Sequence, residues 1–503
     1  MQVSNKIRDG IGRLTKDVKT VAITCLQWGD TGKGKFVDLF ADWAKYIVRG
    51  TGGDNAGHSI HTGEEEYVFH IVPSGILYDG AGKFNVIGSG TVVNPKTLIH
   101  ELSLLDKAGL SYEKLLLSSN AKLILPTQIV ADRVKEAAAK AGKIGTTGRG
   151  IGPTYADFYA RQGLVVNDLL NKDTFVAKLR RHLATKRQEL CAYDPQVIKD
   201  VMSHPSLDAG LYYSSGDMFD EEAIVETYLA YGQKLNPFIR DTEGLIGFVA
   251  GKENILLEGA QGVLLSVDYG SYPFVTSSDC SAWGLAKGAG LSPAQIDLSL
   301  GIAKGFYMTR VGEGPFPTEL GGEKSADWCS RMKRHDEEDA YGDVTVNDSD
   351  DFRQGVALRR VGNEYGATTG RPRRTGWLDL PLLRHAMKFS GRNVILTKLD
   401  VLNACQTIKV CLGYSYDGPN YRYGNLTLKT GYGFSHAVVN AEVLQHCRPV
   451  YREFPGWECE LAGSCLEDLP INFRKIYSFV TKSVGINPRI ISIGRDREQT
   501  IFV

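Results

Sequence analysis

A chain of 503 residues, 43% of them apolar, can bury a sizeable core and exceeds the usual size of one domain. Its 58 basic and 58 acidic side chains cancel, so nothing marks it as a binder of polyanions, and nucleic acid is not the default partner. No apolar run approaches the roughly 18 residues of a membrane span, and nine cysteines without a Cys-x-x-Cys pair fit reduced thiols in a cytoplasmic setting.

The first twenty residues carry Lys6, Arg8, Arg13, Lys16 and Lys19 with Asp9 and Asp17 and no apolar core. They match neither a secretory signal nor an acid-poor transit peptide, and read as an N-terminal extension, 1–20. Residues 21–26 form a short buried strand. Gly29, Gly32 and Gly34 then leave a turn of little bulk, and Phe36, Val37, Leu39, Phe40 and Trp43 follow at helical spacing. Strand, glycine turn and helix point backbone N–H groups and a helix N-terminus at phosphate. Asp30, Lys33 and Lys35 in the same turn suggest proton chemistry as well as phosphate binding. The standard P-loop is absent, because Phe36 follows Lys35. From the glycines alone, an ordinary strand-to-helix turn reads the same way.

Strands are expected at 45–49, 66–72, 84–87, 115–117 and 123–125, and helices around Leu98 to Leu105 and at 129–141. Helices follow at 175–190 and 221–235, joined by polar loops around 195–215, and strands at 254–258 and 394–397 run straight into further motifs. The alternation predicts an α/β fold with a large, mostly parallel sheet covered on both faces, and ligand groups at the strands' carboxyl ends. One stretch is out of character. Between Asp336 and Asp351, eight of sixteen residues are acidic. It reads as a solvated surface excursion, with a lid or a partner contact as the alternative.

Gln27-Trp-Gly-Asp-Thr-Gly-Lys-Gly-Lys35 with Asn55-Ala-Gly-His58 closely resembles the adenylosuccinate synthetase family. Gly145-Thr-Thr-Gly-Arg-Gly-Ile-Gly-Pro153, Glu258-Gly-Ala-Gln-Gly262, Tyr272-Pro-Phe-Val-Thr-Ser-Ser278, Gly366-Ala-Thr-Thr-Gly-Arg-Pro-Arg-Arg-Thr-Gly-Trp377 and Thr397-Lys-Leu-Asp400 look like its other blocks, in its order. Against that pattern, 325–354 looks like an acidic insertion. The resemblance implies one catalytic domain over 21–503, P-loop-NTPase-like with a modified glycine loop and smaller accessory lobes. The activity it implies is GTP-dependent ligation of L-aspartate to IMP through 6-phosphoryl-IMP, giving adenylosuccinate, GDP and phosphate in AMP biosynthesis.

The roles it implies are specific. Asp30 matches the base that removes the IMP N1 proton and also ligates Mg²⁺, with the Gly57 carbonyl as a further metal ligand. His58 matches a proton donor to the phosphate in transfer. GTP falls to Gly29, Asp30, Thr31, Gly32, Lys33, Gly34, Lys35, Gly57, His58, Ser59 and Arg373, with its guanine read by Lys398, Leu399 and Asp400 against Ser492, Ile493 and Gly494. An aspartate carboxylate accepts from guanine N1–H and N2–H₂ together, while a lysine stem packs over the base. IMP falls to Asp30, Thr31, Gly32, Lys33, Asn55, Ala56, Gly57, His58, Thr147, Gln261, Thr276 and Arg371, and to Arg161 of a neighbouring subunit, which implies a homodimer. L-Aspartate falls to Ala367, Thr368, Thr369, Gly370, Arg371, Pro372 and Arg373, where arginine forks, Arg374 included, suit a dicarboxylate.

Four positions depart from the family pattern: Thr31 where glutamate is usual, Asp54 where the side chain is neutral or an imidazole, Asp279 for asparagine and Trp283 for glycine. All lie in or beside nucleotide-binding blocks, and Thr31 is expected within reach of the substrate purine. They make a ligase acting on GMP or dGMP, forming 2-aminoadenylosuccinate, the alternative. A non-catalytic GTP-binding regulator is a third reading. It leaves Gln261 and the 366–374 loop without a role, and no switch-like Ser or Thr follows Lys35.

Overall fold

Thr20-Val-Ala-Ile-Thr-Cys25 is rich in β-branched residues and buried along its whole length, the pattern of a strand covered on both faces. It lies inside a ten-stranded sheet of a computed structural model that describes residues 3–62, 65–139, 142–203, 218–366 and 370–503. In chain order the strands of this sheet are β1 (Thr20–Cys25), β2 (Tyr46–Arg49), β3 (Phe84–Ile87), β4 (Leu115–Ser118), β5 (Ile239–Arg240), β6 (Ile255–Glu258), β7 (Leu298–Lys304), β8 (Asn393–Thr397), β9 (Asn487–Ser492) and β10 (Thr500–Phe502). Their spatial order is β10-β9-β8-β7-β1-β6-β2-β3-β4-β5. Every pair is parallel except β9 with β10. Ala22 of β1 sits opposite Leu257 of β6 and Ser299 of β7, so the first strand is flanked by strands from the middle of the chain. The carboxyl ends of β1, β2, β6, β7, β8 and β9 open on one side, where such sheets bind ligands.

Helix α1 (Asn5–Leu14) buries Ile7 and Ile11, with Val3, in the same core as Phe36 and Phe40 of helix α2 (Lys33–Ala41). The N-terminal extension is thus packed onto the body. A five-stranded accessory sheet joins Tyr307–Arg310, Arg374–Asp379, Thr407–Tyr416, Gly433–Phe434 and Cys447–Pro455. Helices Lys172–Leu190 and Glu221–Leu235 form a satellite around Phe175 and Tyr228. Among the described residues no helix is long and apolar enough to cross a membrane.

Three local expectations change. The strand expected at 66–72 is Glu65–Phe69, paired with His58–Thr62 as a hairpin outside the central sheet. The loop expected at 195–215 contains helix Pro195–Ser203, and 204–217 lie outside the described residues. The acidic stretch is more than a surface excursion, although seven of its eight acidic side chains are exposed or half-buried. It belongs to a lobe of three helices, α3 (Gly322–Arg331), α4 (Arg334–Ala340) and α5 (Asp351–Gly362), which fold around the buried Glu337–Arg359 ion pair and an aromatic contact of Trp328, Tyr341 and Phe352. One buried carboxylate with a guanidinium partner gives a polar sequence an interior that composition does not reveal.

Candidate active site

The turn after β1 bends through Gly29 (φ 91°) and Gly32 (φ 82°), with Asp30 between them at φ 53°. A side-chain-bearing residue held in the left-handed region costs about 1 kcal/mol or more. Six non-glycine residues among those described adopt positive φ, and four of them, Asp30, Arg161, Gln261 and Lys398, are expected site residues. Backbone strain is therefore concentrated at the residues expected to meet ligands. α2 begins at Lys33, aiming its first amides into a cleft of about 1280 Å³. That volume exceeds what one small molecule needs and suits several ligands side by side. Lys33 Nζ donates to the Gln261 carbonyl at 2.8 Å. Lys35 Nζ donates to Ser492 Oγ at 2.9 Å and to the Gly494 carbonyl at 3.0 Å, so it ties the glycine turn to the end of β9. Burial pushes its ammonium down to about 8, partly offset by Asp496 and Asp400.

His58 opens the hairpin at the cleft wall, with Nδ1 against Glu258 Oε1 at the carboxyl end of β6. Glu258 also accepts from Ser74 Oγ at 2.6 Å and from Ser74 N at 2.8 Å. Burial alone would raise the Glu258 carboxyl, but His58, Arg49 and Ser74 outweigh it and hold it below the usual range. Burial lowers the His58 imidazole despite Glu258. The ring donates from Nδ1 to an ionised carboxylate, which leaves the buried Nε2 with no partner. Gln261 is similarly poised: both side-chain amide atoms are buried without a partner, and the residue lines the cleft. Buried polar atoms without a protein partner at a cleft wall are suited to bonding a polar ligand.

The opposite end is organised by a residue that lies outside every one of the motifs. Glu364, fully buried, accepts from Lys304 Nζ at 2.7 Å, Lys398 Nζ at 2.8 Å, Tyr307 OH at 2.8 Å and Arg373 Nη1 at 3.0 Å. Burial would raise it, yet the three cations hold it well below the usual range. Arg373 reaches onward, Nε to Asp30 Oδ2 at 2.7 Å. Glu364 thus links the Thr397-Lys-Leu-Asp400 turn to the catalytic-type turn. Its only signal in the chain is a lone acid just ahead of Gly366. Glu258 opens the Glu258-Gly-Ala-Gln-Gly262 motif, which by itself gives it no role.

Most expected residues gather in this one cleft: Gly29, Asp30, Gly32, Lys33, Gly34, Lys35, Asn55, Ala56, Gly57, His58, Thr147, Gln261, Gly370, Arg371, Pro372, Arg373, Lys398, Asp400, Ser492 and Gly494 line it. Thr276 stands just behind, its Oγ1 accepting from Asn55 Nδ2 at 3.5 Å. Leu399 and Ile493 point into the core, so only their backbone is available to a nucleotide. Ser59 lies on the hairpin next to His58. Arg161 is exposed beyond helix Ile151–Tyr159 and outside the lining of its own cleft. Ala367, Thr368 and Thr369 lie outside the described residues.

Several expectations are corrected. Thr31 is fully buried rather than facing a purine. Its carbonyl accepts from Thr397 Oγ1 at 2.8 Å, which turns the residue under the end of β8. Asp279 caps the helix Ala282–Ala289 through Ser281, and Trp283 packs edge-on against Tyr269 and Phe389, both away from the cleft. Asp54 alone of the four departures lines it, held by Thr97 Oγ1 at 2.9 Å and Arg149 at 3.5 Å. Arg374 is not available as a carboxylate fork, because Glu319 and the Gly314 carbonyl already occupy its guanidinium.

A glycine turn feeding a helix, a strained aspartate, a buried histidine–glutamate pair and a Lys-x-Asp turn, all at the carboxyl edge of one parallel sheet, define a nucleotide-dependent α/β enzyme with a multi-substrate cleft. The family model described as adenylosuccinate synthetase matches residues 22–501. The adenylosuccinate synthetase of Clostridium beijerinckii is 38% identical over 482 residues, covering 95% of this chain and 97% of that one. That of Streptococcus gordonii is 39% identical over 484 residues, covering 96% and 97%. A solved structure of fully ligated adenylosuccinate synthetase from Plasmodium falciparum superposes with a TM-score of 0.72 at 29% identity, covering 96% of this chain and 99% of that one. The chain belongs to the adenylosuccinate synthetase family, GTP-using ligases that form a C–N bond.

Proposed function

We propose that this chain joins L-aspartate to IMP using GTP, and that the residues gathered in the cleft carry the reaction. The observation that supports it best is the convergence of Asp30, His58, Gln261, Arg373 and Asp400 on one cavity in a chain of this family. Asp30 takes the N1 proton of the hypoxanthine, so that O6 attacks the γ-phosphorus of GTP and GDP departs. The amine of aspartate then displaces phosphate from C6. Catalysis rests on positioning and charge stabilisation. His58 donates from Nε2 to the phosphoryl group in transfer. That requires the imidazolium, which Glu258 favours once an anionic oxygen faces the ring.

Asn55, Thr147, Thr276 and Gln261 hold IMP, Arg371 and Arg373 take the aspartate carboxylates, and Asp400 reads guanine. The Asp30 carboxylate and the Gly57 carbonyl are hard oxygen donors on the cleft wall, a set that fits Mg²⁺ retaining water and phosphate ligands. Bound there, the ion would neutralise charge on the nucleotide phosphates. Arg161, exposed and away from its own cleft, suits the IMP phosphate of a second copy, so the working form is a homodimer. Nine free cysteines fit a cytoplasmic location.

An aspartate- and GTP-dependent assay run in parallel on IMP, dIMP, GMP and dGMP tests the reading. The highest kcat/KM is expected for IMP. A higher value for GMP or dGMP would move the assignment to the 2-amino substrate, and turnover indifferent to aspartate would end the ligase reading altogether.

A further inference from the structure

The acidic lobe meets the cleft at the turn that carries Arg371 and Arg373. Arg334, the first residue of α4, donates its backbone N–H to the Gly370 carbonyl at 3.0 Å, and its guanidinium lies over the Tyr365 ring at 5.3 Å. Tyr365 bridges to Pro372 across the base of the turn and donates its hydroxyl to Glu337 Oε1 at 2.8 Å. Glu337 is buried and accepts from three separate segments: Tyr365, Trp328 Nε1 at 3.0 Å and Arg359 Nε at 3.0 Å. Gly366 N donates to the Arg371 carbonyl at 2.9 Å and Arg373 N to the Glu364 carbonyl at 2.9 Å, which ties the two described ends of the turn together. The lobe fixes it from outside. Cys329, Ser330, Lys333 and Arg334 also form part of the cleft wall on this side.

We infer that the lobe sets the affinity for the amino-acid substrate, with the Arg334 amide and the Glu337–Tyr365 bond as positioning groups for Arg371 and Arg373. This rests on the reading that those arginines take the aspartate carboxylates. The first N–H groups of a helix have no partner within it, and here the first one is spent on Gly370. Guanidinium groups recognise a dicarboxylate only if their backbone is held to within a fraction of an ångström. An aspartate-binding turn braced in this way loses affinity for aspartate selectively when the brace is cut.

The geometry provides a clean cut. Proline is accepted at the first helical position, where it removes only the N–H. Lys333 before it is extended (φ −117°, ψ 174°), as a residue preceding proline must be, and its own amide is capped by Asp336 Oδ2 at 2.8 Å. Arg334→Ala removes the guanidinium and keeps the amide, whereas Arg334→Pro removes both. Aspartate-dependent turnover of the unaltered enzyme is measured first, and its absence would overturn the functional reading and this inference with it. Given turnover, Arg334→Pro should raise the KM for L-aspartate about fivefold over Arg334→Ala, with the KM values for IMP and GTP and the melting temperature alike in the two. Equal aspartate KM values in the two variants overturn the inference, as does a parallel rise in all three KM values, which is what general loosening gives. Should Arg334→Pro not fold, Tyr365→Phe decides: it removes only the hydroxyl bond to Glu337, and an unchanged aspartate KM overturns the inference.

Discussion

Glu364 is where one side chain serves three cations, and Glu364→Gln removes its charge while keeping its size. Lys304 is fully buried, whereas Arg373 and Lys398 are 12% and 26% exposed at their side chains. The last two can recover hydration by small movements, and Lys304 cannot. Burial has already pushed the Lys304 ammonium down to about 7, with Glu364 pulling the other way. Without Glu364 it sheds its proton near neutral pH instead of remaining a buried lone charge. The loss should therefore fall at the lower end of the range for breaking a buried ion pair, ~3 kcal/mol, and lower the melting temperature by roughly 3 °C. Lys398, untethered, should also misplace the Thr397–Asp400 turn proposed to read guanine. Losing one charge-assisted bond of about 1.5 kcal/mol there corresponds to a KM for GTP raised about tenfold. Thermal denaturation and steady-state kinetics with GTP varied measure both. A variant with an unchanged melting temperature and unchanged KM for GTP would refute the view of Glu364 as the link between the Thr397–Asp400 turn and the Asp30 turn.

Asp30→Asn should cut turnover at least ~10³-fold while calorimetry still detects IMP binding; retention of a tenth of the rate would remove Asp30 from its role. Glu258→Gln should lower kcat by up to ~10²-fold with little change in the KM for GTP, since it removes the group that orients His58 and favours its imidazolium; an unchanged kcat would leave the pair structural. His182, buried against Thr127 Oγ1 at 2.8 Å, is pushed down to about 4 by burial. Between about 6.5 and 4 the unfolded chain binds a proton that the folded ring refuses, so stability falls as pH drops through that window. His182→Gln should flatten the melting-temperature profile there, and an unchanged slope would show that other groups set it. Thr31→Val removes a buried hydroxyl that has no partner and should leave stability unchanged or raised by up to ~1 kcal/mol, with the preference for IMP over GMP unaltered; a tenfold shift in that preference would show that Thr31 faces the purine after all.

Local chemistry was enough to expose much of this protein. Thr20–Cys25, the glycine turn and α2 declare themselves by β-branched burial, lack of bulk and helical spacing, because those signals act within a few residues. The ordered motifs likewise named Asp30, His58, Gln261, Arg373 and Asp400, which the fold brings to one cleft. Side-chain direction was not legible. Thr31 follows Asp30 in the chain, yet the backbone turn sends it beneath Thr397 while Asp30 stays at the cleft. Nor were the carboxylates that organise the site: Glu258 meets His58 across 200 positions, and Glu364, in a loop, meets Lys304 at the end of β7 and Lys398 just beyond β8. The acidic lobe is the plainest case. Its composition describes a solvated segment, and only the meeting of Glu337 with Arg359, Trp328 and Tyr365 gives it an interior. Burying a charge is favourable only with its partners in place, and those partners are set by the tertiary fold, not by neighbours in the chain.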